Sequence, residues 1–124
     1  MRVRHWGLAA ALLMALMPAA QAGDCFSLTD WRGWSAEGDD TIYLKVRLHD
    51  VYKVELAQKE SFLNAPSMHL VTKSWGSNMI CNPIDLDLKI ADNFMPTFST
   101  HLFIKSITKL TPEEVKALPD KDRP

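Results

Sequence analysis

The sequence contains few of the residues and motifs that mark common catalytic sites. Its five glycines leave little material for a glycine-rich phosphate-binding loop, and it has no Gly-x-Ser-x-Gly or His-Glu-x-x-His motif. Its formal net charge of -1 lacks the excess of Lys and Arg that a generic nucleic-acid-binding surface needs. It also has no internal repeat, low-complexity tract or domain linker. These absences point to a small globular domain that does not bind nucleic acid.

The one long apolar run lies at the N-terminus and has the pattern of a secretory signal peptide. Arg2 and Arg4 precede an apolar segment over 8–17, and an Ala-Gln-Ala cleavage site follows at 20–22. The apolar segment is too short to span a bilayer well, and no stop-transfer pattern follows it. We therefore predict a signal peptide over 1–22 and a mature protein of roughly 100 residues that begins at Gly23. This protein is expected to be periplasmic or secreted and not anchored in the membrane.

Cysteine usage fits an exported protein, because the chain has only Cys25 and Cys81. An even pair in an oxidising compartment indicates a disulfide. That bond would close a loop of about 57 residues and stabilise the fold by at most ~4 kcal/mol. Two free thiols are the alternative. Lipidation of Cys25 is not expected, since the charged Asp24 stands where a lipobox needs a small residue.

Apolar residues at alternate positions predict a mainly β fold. A hairpin is expected from two inward-facing sets: Ile42, Leu44, Val46 and Leu48, then Tyr52, Val54 and Leu56. A further strand is expected to face inward through Ile84, Leu86, Leu88 and Ile90, and outward through Asp85, Asp87 and Lys89. We predict a small single-domain barrel-like structure or sandwich of about five to six antiparallel strands with a short C-terminal helix. The β domain would occupy residues 23–118, and residues 119–124 would form a flexible tail.

Three local features refine this prediction. Trp31 and Trp34 are three residues apart, so a single helical turn capped near Ser27 would place both indoles on one face. The apolar phase slips within the last strand, which a β-bulge near Lys105-Ser106 would absorb. Thr111, Pro112 and Glu114 have the spacing of a helix N-cap, a proline at the first helical position and a capping box, so the C-terminal helix is predicted to start there.

Several segments together resemble a bacterial family of small exported proteins, the domain of unknown function 6491. They are Cys25-Phe26, Trp34, residues 50–57, Ile80-Cys81 with the following Asp85, and residues 107–114. Members of that family often carry two further cysteines, whose places here fall at 58–61 and 99–101 and hold none. The resemblance therefore implies that Cys25 pairs with Cys81. It implies export and a small domain, but no activity.

Aromatic residues are the main candidates for a binding surface. Such side chains are favoured in ligand grooves and at protein interfaces, although packing inside the domain is the alternative for each. The candidates are Trp31, Trp34, Tyr43, Tyr52 and Trp75.

The histidines and two aspartates are candidates for a catalytic or metal site that only folding could assemble. His49, His69 and His101 lack the spacing of a local zinc site, and Asp85 and Asp87 lack a calcium-binding loop. We therefore predict no catalytic residue, metal or cofactor. The leading hypothesis is a non-catalytic exported module that binds a small molecule or an envelope protein. The alternative is a small periplasmic enzyme or metal-handling protein built from these dispersed side chains.

Overall fold

The computed structural model describes residues 24–74, 76–95 and 97–124, so the predicted signal peptide lies outside the described residues. Within these ranges nine strands form three antiparallel sheets, and one short α-helix follows. The elements are β1 Phe26–Ser27, β2 Trp31–Glu37, β3 Thr41–Val46, β4 Asp50–Leu56, β5 Met68–Ser74, β6 Met79–Ile80, β7 Leu86–Asp92, β8 Ser99–Leu102, β9 Ile104–Lys109 and α1 Pro112–Ala117. The predicted mainly β fold with a short C-terminal helix is confirmed.

The two larger sheets are connected by one continuous stretch of chain. The four-stranded sheet has the order β2-β3-β4-β9, and the three-stranded sheet has the order β5-β7-β8. Only Phe103 separates β8 from β9, so the chain passes from one sheet to the other within a single residue. The predicted last strand is therefore two strands, which is one reason why the structure has more strands than expected.

The inner faces of both sheets enclose one hydrophobic core. Its most deeply buried members come from the central strands and from β1 and β6: Phe26, Ile42, Leu44, Val46, Tyr52, Val54, Ile80, Leu88, Ile90 and Leu102. A second, smaller cluster lies on the opposite face of the hairpin. There Tyr43, Val51 and Leu110 are covered by Val115 and Leu118 around the C-terminal helix. The helix therefore packs against the outside of the four-stranded sheet.

Two residues predicted to face inward are exposed because their strands are shorter than the alternating pattern suggests. Leu48 is 74% exposed, since β3 ends at Val46 and Arg47 turns the chain with a φ of 56°. Ile84 is 82% exposed because it lies in a 3₁₀ turn before β7. Asp85 shapes that turn, since its carboxylate accepts the backbone N–H groups of Cys81 and Asn82.

Trp31 and Trp34 lie in a strand, and the prediction of a helical turn for them was wrong. The 3₁₀ turn capped by Ser27 does form, but it occupies Leu28–Asp30 and ends before Trp31. In β2 a register shift at Arg32 places Trp31 opposite Val46 and Trp34 opposite Leu44. Both indoles therefore pack on the core. A bulge has the effect expected of the helical turn, because it gives residues three apart the same facing.

The predicted bulge and helix cap are confirmed. Glu55 pairs with Ser106 and Leu56 pairs with Ile104, so Lys105 is the extra residue. The Thr111 hydroxyl accepts the Glu114 N–H at 3.2 Å, and the Glu114 carboxylate accepts the Thr111 N–H at 3.1 Å.

Residues 119–124, for which the sequence predicts a flexible tail, make specific contacts with the sheet and helix. Asp122 is buried, and its backbone carbonyl accepts a hydrogen bond from the Ser35 hydroxyl. Arg123 Nη2 donates to the carbonyl of Leu118 at 2.9 Å, at the end of α1. The segment is thus folded back on the outer face of the four-stranded sheet.

The predicted Cys25–Cys81 disulfide is present, with the two Cα atoms 4.3 Å apart. It stands beside the two-stranded sheet, in which Phe26 of β1 pairs with Ile80 of β6. We call this sheet and its disulfide the clasp. Because β1 leads into β2, and β5 leads into β6, the clasp ties together the ends of the two larger sheets.

Replacing both cysteines, as Cys25→Ser with Cys81→Ser, should lower the free energy of unfolding by up to ~4 kcal/mol, because the unfolded chain loses its long closed loop. Urea unfolding of the oxidised wild type and of the variant measures this difference. Reduced wild type is the matched control and should unfold with the variant. Equal stability of all three would show that the clasp contributes little.

Candidate functional site

Each of the two larger sheets has two edge strands, β2 and β9 in the four-stranded sheet and β5 and β8 in the three-stranded sheet. No described strand pairs with the outer sides of β2 and β5, and hydrogen bonds connect the segments that flank these two strands at both ends. An unpaired strand edge presents a row of N–H and C=O groups that can pair with another extended chain. We call the gap bordered by β2 and β5 the seam.

The backbone groups that β5 presents to the seam follow from its ladder with β7. Asn93 N–H donates to the Ser67 carbonyl at 2.8 Å, and the register continues without a shift from Met68↔Asp92 to Ser74↔Leu86. In an antiparallel ladder, hydrogen-bonded and non-hydrogen-bonded pairs alternate. The N–H and C=O groups of Leu70, Thr72 and Ser74 therefore point away from β7 and into the seam.

The same reasoning gives the open edge of β2. Leu56 N–H donates to the Asp40 carbonyl at 2.8 Å, so the odd-numbered residues of β3 bond to β2. Their partners Gly33, Ser35 and Glu37 face β3. The backbone groups of Trp34 and Ala36 consequently point into the seam.

Both ends of the seam are closed by hydrogen bonds. At the clasp end, Leu28 N–H donates to the Asn78 carbonyl at 2.9 Å. At the far end, the segment between β4 and β5 reaches the β2–β3 turn. There Glu60 N–H donates to the Asp39 carbonyl at 2.7 Å, and Asn64 Nδ2 donates to the Gly38 carbonyl at 2.7 Å. The open edges thus border one gap of limited length.

A groove of about 460 Å³ occupies the clasp end of the seam. It lies between the first 3₁₀ turn and the end of β5, and it is lined by Leu28, Thr29, Thr72, Lys73, Ser74, Gly76 and Asn78. Its volume lies within the usual range for ligand sites. The lining is rich in hydroxyl and amide groups and contains no carboxylate.

The strands that border the seam contribute partly buried side chains to the core. The inward-facing residues of the central strands, such as Ile42 and Leu88, are fully buried. The apolar residues Trp31, Trp34 and Met68 pack on the same core but are only partly buried. Ile104 and Ile107 of the edge strand β9 are partly buried in the same way, so this difference is a property of edge strands.

The predicted aromatic candidates do not form one surface. Trp31 and Trp34 lie beside the seam, whereas Tyr43 and Tyr52 are buried on opposite faces of the hairpin. Trp75 lies outside the described residues. The groove residues Thr72, Ser74 and Asn78 were missed by the sequence reasoning, since nothing local distinguishes an open strand edge from a paired one.

One pair of the dispersed histidines and aspartates is brought together. His101 Nδ1 lies 3.0 Å from Asp87 Oδ1 on the outer face of the three-stranded sheet. Asp87 is only 6% exposed, so the prediction that it faces solvent was wrong; His101 helps to cover it. Among the described residues, no group of three or more His, Cys, Asp or Glu side chains is placed to hold a metal ion.

Ser106 and Lys109 have the Ser-x-x-Lys spacing of some acyl-transfer enzymes, but the strand separates them. An odd spacing on β9 puts the two side chains on opposite faces. The Ser106 hydroxyl donates to Glu55 at 3.2 Å, while Lys109 Nζ lies 3.9 Å from Asp50. They therefore do not form a nucleophile and base pair.

No family model, curated protein or solved structure matches this chain. Within the described ranges, no helix has the length and apolar character needed to cross a membrane.

Both tyrosines of the chain should resist ionisation in the folded protein. Burial raises the pKa of Tyr43, and its hydrogen bond to Glu37 raises it further. Burial also raises the pKa of Tyr52, although the nearby Arg47 guanidinium acts in the opposite direction. Because the unfolded chain ionises near pH ~10, these groups stabilise the fold below that pH, and the stabilisation is lost as pH rises through the folded pKa values.

A spectrophotometric titration should therefore show no tyrosinate absorbance from the native protein near pH ~10. The urea-unfolded protein is the control, in which both rings should titrate there. If the folded protein showed an absorbance change equal to that of one tyrosine near pH ~10, one of the two rings would be accessible to solvent.

Proposed function

We propose that this protein is an exported binding module that takes up an extended polypeptide segment as an added strand in the seam. The observation that carries the proposal is the pair of edge strands, β2 and β5, which have no described strand on their outer sides and whose flanking segments are joined by hydrogen bonds at both ends. Strand addition is a common mode of peptide recognition, in which main-chain hydrogen bonds provide affinity and pockets for alternate side chains provide specificity.

The chemistry of the seam favours a polypeptide over a compact small molecule. Leu70, Thr72 and Ser74 offer N–H and C=O groups at every second residue of β5. An extended polypeptide carries the complementary groups at the same spacing. The β5 strand has seven residues, so a ligand segment of similar length would fit between the closed ends.

The partly buried side chains of the bordering strands favour a ligand with apolar residues at alternate positions. Every second side chain of an added strand would face the core, beside Trp31, Trp34 and Met68. The intervening side chains would face solvent and can be polar. The ligand is therefore an amphipathic strand.

Export remains a prediction from the N-terminal sequence, and the Cys25–Cys81 disulfide supports it. In that compartment the natural ligand would be a segment of another envelope or secreted protein. The resemblance to the family named above stays a prediction as well, and it would supply no ligand.

The proposal is tested with a set of N-acetylated heptapeptides that alternate Val, Leu or Phe with Thr and carry a free C-terminus. Each peptide is made unmodified and in two versions, N-methylated at the odd or at the even residues. We expect binding by isothermal titration calorimetry and a loss of about tenfold or more in affinity when the amides that face a seam edge are methylated. Binding that survives both methylation patterns, or no binding by any unmodified peptide, would overturn the proposal.

Matched protein variants test the β5 edge directly. Thr72→Pro removes an N–H that makes no ladder bond, so the sheet should tolerate it as an edge-strand proline. We expect this variant to fold and to lose affinity, and Thr72→Val, which keeps the N–H, to bind as wild type. If Thr72→Pro unfolds, the methylated peptides still decide the question with the unmodified protein. Undiminished binding by folded Thr72→Pro would exclude pairing with β5.

A further inference from the structure

We infer that the seam binds the C-terminal end of its polypeptide ligand, with the terminal carboxylate in the groove beside Lys73 and Asn78. This inference rests on the proposed function and names its ligand more narrowly. It follows from the closed end of the seam and the chemistry of the groove.

A strand that enters the seam cannot continue beyond the clasp. The bond from Leu28 N–H to the Asn78 carbonyl crosses the gap there. Behind it stand the β1–β6 pair and the disulfide, with Phe26 and Ile80 both buried in the core. The groove lies directly in front of this barrier, so it receives the end of an added strand.

The groove offers donors and one cation to an anionic ligand, and none of its described lining residues carries a negative charge. The Ser74 hydroxyl donates to Asn78 Oδ1 at 3.3 Å, which leaves the Asn78 amide N–H groups to donate to a ligand. No carboxylate lines the groove. A peptide N-terminus would bring an ammonium group without a counter-ion, whereas a C-terminal carboxylate meets donors of the right kind.

Lys73 supplies the positive charge that would pair with the terminal carboxylate of the ligand. It is exposed at the edge of the groove, and among the described residues it has no ion pair within 4 Å. Asp87 stands opposite it in the β5–β7 register. That carboxylate is buried, its Oδ1 atom lies 3.0 Å from His101 Nδ1 without a hydrogen bond, and it makes no ion pair with Lys73 within 4 Å.

The strand directions allow either orientation of the ligand. β2 begins beside the clasp and β5 ends there, so the two strands run in opposite directions along the seam. A ligand whose C-terminus lies in the groove runs antiparallel to β2 and parallel to β5, and a ligand of the opposite orientation does the reverse. The choice of the C-terminus therefore rests on the closed end of the seam and on the chemistry of the groove.

The test compares one N-acetylated heptapeptide from the binding set as a free acid and as a C-terminal amide. We expect the amide to bind about tenfold or more weakly, because it lacks the charge-assisted hydrogen bonds of the carboxylate. The advantage of the acid should disappear in Lys73→Gln. It should persist in the control Lys89→Gln, which removes an outward-facing lysine from the central strand β7.

A second variant cancels the positive charge of the groove. Asn78→Asp is nearly isosteric and keeps the backbone carbonyl that bonds to Leu28, but it places a carboxylate beside Lys73. This variant should lose the preference for the acid over the amide.

The outcomes separate this inference from the proposed function. Equal binding of acid and amide, with both still weakened by Thr72→Pro, would overturn the carboxylate site and leave strand addition intact. If Lys73→Gln and Lys89→Gln reduced the affinity advantage of the free acid by the same factor, that advantage would come from the overall positive charge of the protein. This result would overturn the specific role of Lys73. No binding of either peptide would count against strand addition itself.

Discussion

The clasp is the constraint on which the arrangement of the two large sheets depends. At one side of the molecule the sheets are joined by the chain itself, through Phe103 between β8 and β9. At the clasp end the β1–β6 pair, the Cys25–Cys81 bond and the Leu28–Asn78 hydrogen bond connect them. Without these contacts the start of β2 and the end of β5 would not be tied to each other. With them, the edges are held beside one gap.

The filled core restricts where a ligand can bind. The inward-facing side chains of β3, β4 and β7 are almost completely removed from solvent, so they offer a ligand little accessible surface. The outer face of the hairpin is covered as well, since the C-terminal helix packs on Tyr43 and Val51. Binding chemistry is therefore concentrated in backbone groups at strand edges, which carry no sequence signature of their own.

Local patterns predicted the strands and their facing, but not where strands end or which edges stay open. Period-two alternation identified the hairpin and β7, because successive side chains of a strand point to opposite faces, and one face of each strand is buried. It failed at Leu48 and Ile84, where alternation continues into turns. It also failed at Asp87, which is covered by His101 from a different strand. The seam depends on which strands pair across the whole chain, so no segment could reveal it.

An open strand edge is normally a liability, because it can pair with another copy of the same protein. Here the closed ends limit that risk. The clasp blocks one end, and the contacts of Glu60 and Asn64 with the β2–β3 turn block the other. Pairing between two copies requires that the edge of one sheet can approach the edge of the other. The closed ends of the seam restrict such an approach to β5. A separate extended segment can enter such a gap more readily than the edge of a folded sheet, and this geometry favours capture of a polypeptide end over self-association.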